Sequence, residues 1–321
     1  MILGVANTQA IFVIAKLGVA DLLKNGPRSI QELARATNTH ASSLYRIMRG
    51  LANQGVFSET PGRHFALTPK GDLLRTDSSG SLRGYAIAHG SGYQMQGWSN
   101  LVNGVATGGS AFQDAFKMNV FEYFRLHPED SAVFNDAMTS ISKLDITFIR
   151  GAYDFGNFHT IVDVGGSHGY LLAAILKSCA SLRGVLFDLP SVVENADKLL
   201  QEEGVSDRCQ IVGGDFTKEV PKGGDAYILK RVIVSLEDEN ASKVLECCRE
   251  AMLPNGKLLI IDPTVRSAYG ELFDLLMLMI APGGRIRTET EYQDLLSRAG
   301  FKVNRVVRTD SYLSIVEGIS L

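Results

Sequence analysis

A chain of 321 residues exceeds the usual size of one domain, so two domains are expected. Hydrophobic residues make up 45% and charged residues 21%, an ordinary globular composition, and a formal net charge of −3 gives no general attraction to nucleic acid. Cys179, Cys209, Cys247 and Cys248 form no CxxC pair; they read as reduced thiols of a cytoplasmic protein, and no metal is expected.

The first 23 residues look apolar, but Asn7, Thr8, Gln9, Lys16 and Asp21 interrupt any membrane span of ~20 apolar residues. No basic run followed by a small-residue cleavage site is present either. Ile11, Ile14, Ala15, Leu17, Val19 and Leu22 instead suit a largely buried helix. Ser29 followed by Glu32 predicts a capped helix through Ala36. A second helix is predicted over 41–54, with Leu44, Ile47, Met48 and Leu51 on one face. Short strands at 57–60 and 64–67 flank Pro61-Gly62, and Thr68-Pro69 opens another helix. This is a winged helix-turn-helix pattern. Arg46 and Arg49 on its second helix raise a DNA-binding regulator as a remote alternative, but no basic stripe for phosphates accompanies them. A pairing module fits better.

Residues 82–150 read as several helices, including 121–127 and 129–152. Met95, Trp98, Phe112, Phe121, Phe134 and Met138 make this stretch rich in flexible and flat apolar side chains. They serve either a packed core or a pocket for an aromatic ligand.

From residue 160 strands alternate with helices. Strands are predicted at 160–164, 184–187, 209–212, 226–229 and 257–261, with helices at 171–177, 193–203 and 241–252. That alternation predicts a doubly wound parallel sheet. Two consecutive strands, 301–307 and 311–316, close the chain as a hairpin around Thr309-Asp310.

The run VDVGGSHG at 162–169 follows the first of these strands and opens a helix. Gly165, Gly166 and Gly169 let the backbone pass close to a ligand. Asp188 ends the next strand, where a carboxylate can take the two hydroxyls of a ribose. Asp215 follows the third strand, placed to accept from an adenine amine while Phe216 packs on the ring. Acidic loops suit an adenosine bearing a sulfonium and an ammonium better than a pyrophosphate.

Together with FDLP at 187–190, GGDF at 213–216, Leu229-Lys230 and PGGR at 282–285, that run resembles the S-adenosylmethionine-dependent small-molecule O-methyltransferases of the caffeic acid and hydroxyindole type, which include bacterial tailoring enzymes. The resemblance spans essentially the whole chain. It implies an α/β Rossmann-like class I methyltransferase domain over 99–321, with a seven-stranded, mostly parallel sheet and an antiparallel C-terminal hairpin. It also implies a winged-helix dimerisation domain over 1–98, hence a homodimer with a small-molecule substrate, no nucleic acid and no membrane. By this likeness S-adenosylmethionine or S-adenosylhomocysteine would meet Ser142, Asp163, Gly165, Gly166, Gly169, Asp188 with Leu189, Asp215, Phe216 and Lys230. Met95, Phe121, Phe134 and Met138 would line the acceptor pocket.

One element departs from the family pattern, in which a His-Asp pair follows the lysine. Here the run is LKRVIVSLEDE at 229–239, so Val234 stands at the position of the general base. GGRIRT at 283–288 places Ile286 where a flanking glutamate is usual, and Asp262 holds the other supporting position. Val234 and Ile286 therefore join the expected pocket as an apolar wall. A general base contributes ~10²–10⁴ in rate, whereas alignment of nucleophile and methyl carries much of the rest. Two chemistries follow: methyl transfer by proximity to a small aromatic or polyketide-like acceptor, or a non-methylating reaction (pericyclic or cyclase, decarboxylation, hydroxylation) that retains the cofactor. Candidates for a replacement catalytic group are Asp262, Arg231 and His89.

Overall fold

Apolar runs that are buried on both faces need helices above and below them, and the second half of the chain supplies this alternation. In the computed structural model, which describes residues 2–78, 80–264 and 268–321, seven strands form one sheet. Their spatial order is Cys209–Gly213, Arg183–Asp188, Thr160–Val164, Ala226–Lys230, Lys257–Pro263, Leu313–Ser320 and Phe301–Arg308. The first five are parallel, and the last two are antiparallel. One core cluster packs Ile161, Leu172, Leu186 and Ile228 on one side. A second packs Val162, Tyr227, Val244 and Ile260 on the other, so alternate strand residues feed the two layers.

Two details differ from expectation. The helix predicted over 193–203 is broken into Pro190–Val193 and Ala196–Glu202. The last strand starts at Leu313 rather than 311, because the Thr309 hydroxyl donates to the Leu313 carbonyl and closes the turn.

The described residues cluster into two units: up to Ser99 with Phe121–Leu144, and Asn100–Val120 with the chain from Asp145 onward. The first break lies beside the expected division at 98/99, while 121–144 groups with the first unit. In that unit the helix Gly4–Leu17 buries Ile14 and Ala15 and ends at Gly18, whose φ of 64° only glycine adopts without strain. Met1 lies outside the described residues. Ser29 and Glu32 form the expected capping box on the helix Ile30–Ala36. The helix Ala41–Asn53 buries Leu44, Met48 and Leu51 beside the antiparallel strands Phe57–Thr60 and His64–Leu67. No helix among the described residues is long and apolar enough to cross a membrane.

Candidate active site

Loops at the carboxyl ends of parallel strands are where an open α/β sheet leaves a crevice for a ligand. Asp163 lies within the Thr160–Val164 strand, and the loop after it turns through positive φ at Gly165, Ser167 and Gly169. A Cβ at Gly166 would stand 2.5 Å from Leu186 Cδ1 and 2.7 Å from the Asp163 carboxyl carbon, so glycine is what lets this loop approach the carboxylate. Asp163 is buried, and its Oδ2 has no hydrogen-bond partner among the described residues. Burial pushes its carboxyl up to about 7, against the pull of Lys230. A buried carboxyl with an unpartnered oxygen beside a glycine cradle fits a cationic ligand such as the ammonium of S-adenosylmethionine.

Asp188 ends the next strand and ties it to this loop. Its carboxylate accepts from the Ser167 N–H at 2.8 Å and the Leu189 N–H at 2.7 Å. Burial raises its pKa despite those two donors. Each oxygen retains acceptor capacity for a hydroxyl. Leu189 is half-exposed beside it. Asp215 instead engages its own turn: Oδ1 accepts from the Thr217 amide and hydroxyl, and Oδ2 lies 3.3 Å from Lys218 Nζ. These donors hold its carboxyl below the usual range. The Phe216 ring faces Gly165, 3.7 Å from where a Cβ would be.

Lys230 and Arg231 close the Ala226–Lys230 strand and meet Asp145, a residue the sequence reading did not single out. Tyr312 also donates to Asp145. Arg231 lies over the Phe273 and Tyr312 rings.

Val234 sits in a short 3-10 turn, Ile233–Ser235, and is 1% exposed. Ile286 is also buried, its N–H donating to Asp274. The turn is held by Arg287, another residue sequence reading missed. Its buried guanidinium donates to the Ile233 and Leu236 carbonyls at 2.7 Å each and pairs with Asp238. Asp262 accepts from the Tyr292 hydroxyl at 2.7 Å, and its other oxygen has no partner among the described residues. Burial pushes the Asp262 carboxyl up to about 6, with Tyr292, Arg287, Arg231 and the Val234 amide pulling the other way.

The remaining candidates belong to the first unit. His89 packs its ring 4.1 Å from that of Tyr85, and desolvation lowers its pKa to about 4, so it is neutral at pH 7. Phe134 stacks on Phe124 at 4.7 Å, Phe121 is 65% exposed, and Met95, Met138 and Ser142 are half-buried.

Residues 98–302 match the O-methyltransferase domain, and residues 1–77 match the O-methyltransferase dimerisation domain, which supports a homodimer. Phenazine O-methyltransferase PhzM of Lysobacter antibioticus is 42% identical over 99% of this chain and 94% of its own length. Mitomycin biosynthesis 6-O-methyltransferase of Streptomyces lavendulae is 35% identical, over 94% and 87%. The crystal structure of NcsB1, an O-methyltransferase from neocarzinostatin biosynthesis in complex with S-adenosylmethionine and 2-hydroxy-5-methyl naphthoic acid, aligns with a TM-score of 0.83. It is 32% identical and covers 98% of this chain and 96% of that one.

Proposed function

The chain belongs to the S-adenosylmethionine-dependent O-methyltransferase family, and from that premise we propose that it methylates a hydroxyl of a small, flat aromatic acceptor without a histidine base. S-adenosylmethionine supplies an activated methyl group on a sulfonium. Asp163 holds the ammonium, Asp188 with Leu189 the ribose, Asp215 and Phe216 the adenine side, and Lys230 and Ser142 the methionine end. Gly165, Gly166 and Gly169 keep the loop close. Phenazine, mitomycin and naphthoate relatives support an aromatic or polyketide-like acceptor, with Met95, Phe121, Phe134 and Met138 as the flat and flexible side chains that meet it.

The observation that supports this mechanism is the burial of the apolar side chains Val234 and Ile286, which the resemblance aligns with the family's base and orienting carboxylate. Neither side chain accepts a proton, and both exclude water. The acceptor must therefore bring its own ionised hydroxyl, and the protein's task is orientation. The methyl-transfer names of the relatives weigh against the non-methylating alternative. The first 98 residues serve pairing, residues 99–321 the chemistry, and the free cysteines suit the cytoplasm.

A series of hydroxy-aromatic acceptors of graded acidity tests this. Rates at fixed pH should follow the ionised fraction of each hydroxyl. Rates indifferent to acidity would mean that the enzyme removes the proton itself.

A further inference from the structure

Lys230 and Arg231 place two cations on consecutive residues, each with a side chain only 12% exposed. Arg231 takes a left-handed backbone conformation, φ 59°, which a non-glycine residue adopts at a cost. The turn brings both cations to one carboxylate. Asp145 Oδ2 lies 3.0 Å from Arg231 Nη2 and 3.8 Å from Lys230 Nζ, while Oδ1 accepts from the Tyr312 hydroxyl at 2.8 Å. Asp145 itself is fully buried. Arg231 has further support, since it also donates to the Tyr312 oxygen and lies over two aromatic rings.

Lys230 stands between carboxylates. Asp145 faces it from the long helix Pro128–Ala152, and Asp163 and Asp262 from the strands flanking its own, while Arg231 repels it from the next residue. Desolvation lowers its pKa and the three carboxylates raise it. Asp163 is the carboxylate a bound ammonium would occupy.

We propose that Asp145 is a positioning residue for cofactor binding, holding the Lys230 ammonium in place at the methionine end of the site without touching the ligand. This rests on the reading of Lys230 as a cofactor residue. Once Asp163 is engaged by the ligand's ammonium, Asp145 takes over the pairing of Lys230. Arg231 and Tyr312 in turn fix the Asp145 carboxylate, each through a separate oxygen.

The test is calorimetric binding of S-adenosylhomocysteine between pH 6.5 and 9.5 to the wild type, Asp145→Asn, Lys230→Met and the double variant. Asp145→Asn should weaken binding about 10-fold and make it worsen further as pH rises. In the Lys230→Met background the same change should add less than about 2-fold. Asp145→Glu should recover part of the loss. In the cofactor-free protein, NMR of the Lys230 side chain should show its proton lost at lower pH in Asp145→Asn. If that variant does not fold, Tyr312→Phe removes only the second donor to Asp145 and should give a smaller loss, again absent in the Lys230→Met background. An equal loss with and without Lys230 would overturn the positioning role alone. Unchanged binding in Lys230→Met would overturn the reading of Lys230 and the proposal with it.

Discussion

The hydroxyl of Tyr292 donates to one oxygen of Asp262 at 2.7 Å, and the other oxygen of that buried carboxyl has no partner among the described residues. Burial raises the Asp262 pKa, and the backbone amide of Val234 is among the groups opposing that shift. A buried polar atom without a partner costs about 1–3 kcal/mol. On the proposed reading of Val234 as the base position, that open oxygen is the acceptor an imidazole N–H there would use.

Val234→His should exploit that acceptor. For weakly acidic phenols, kcat/KM is expected to rise at least about 10-fold, less than the ~10²–10⁴ of an evolved general base because the pocket was not built around the imidazole. For acceptors already ionised at the assay pH no gain is expected. Steady-state kinetics on two acceptors of contrasting acidity checks this, and an equal gain on both would point to repacking rather than a restored base.

Asp163 ties pH dependence to cofactor binding. Its folded pKa of about 7 lies above the ordinary aspartate value of 3.8, so between those values the native state binds more protons than the unfolded state. Stability of the cofactor-free protein from this group is greatest at low pH and is lost as pH rises towards 7. Asp262, at about 6, acts in the same direction. Glu317 acts oppositely: at about 2 against 4.5, its contribution is present above 4.5 and lost as pH falls through 2. Asp163→Asn should raise the melting temperature of the cofactor-free protein at pH 8 and weaken S-adenosylhomocysteine about 10–100-fold. Thermal melts with and without ligand measure both, and a variant less stable without ligand would contradict the strained carboxylate.

Arg287 is expected to matter for stability, through the turn it holds. Arg287→Met leaves the Ile233 and Leu236 carbonyls without their charged donor, at a cost of about 3 kcal/mol. Denaturant unfolding gives this number. Activity in the surviving folded fraction should fall as well, since the turn carrying Val234 loosens.

Much of this was legible in the sequence because it rests on local pattern. Strands alternating with helices point to the parallel sheet, and Asp163 and Asp188 lie at or beside strand ends. The positions joined across the chain were not legible. Asp145 meets Arg231 at a separation of 86 residues and Tyr312 at 167, and helical periodicity reports neither. One signal was available: Asp145 lies four residues from both Ile141 and Ile149, on a buried helical face where an unpaired carboxylate is costly. Asp215 also builds its own turn through the hydroxyl and amide of Thr217, a local contact that its place after a strand does not reveal. Arg287 braces carbonyls 54 and 51 residues away in the chain, a partnership that no local pattern reports.

Methyl transfer to an aromatic hydroxyl is tested most directly with methyl-labelled S-adenosylmethionine. Incubated with hydroxylated phenazine and naphthoate acceptors, the enzyme should place label on the acceptor oxygen and release S-adenosylhomocysteine in equal amount. Acceptor converted with no label gained and no S-adenosylhomocysteine formed would contradict the account.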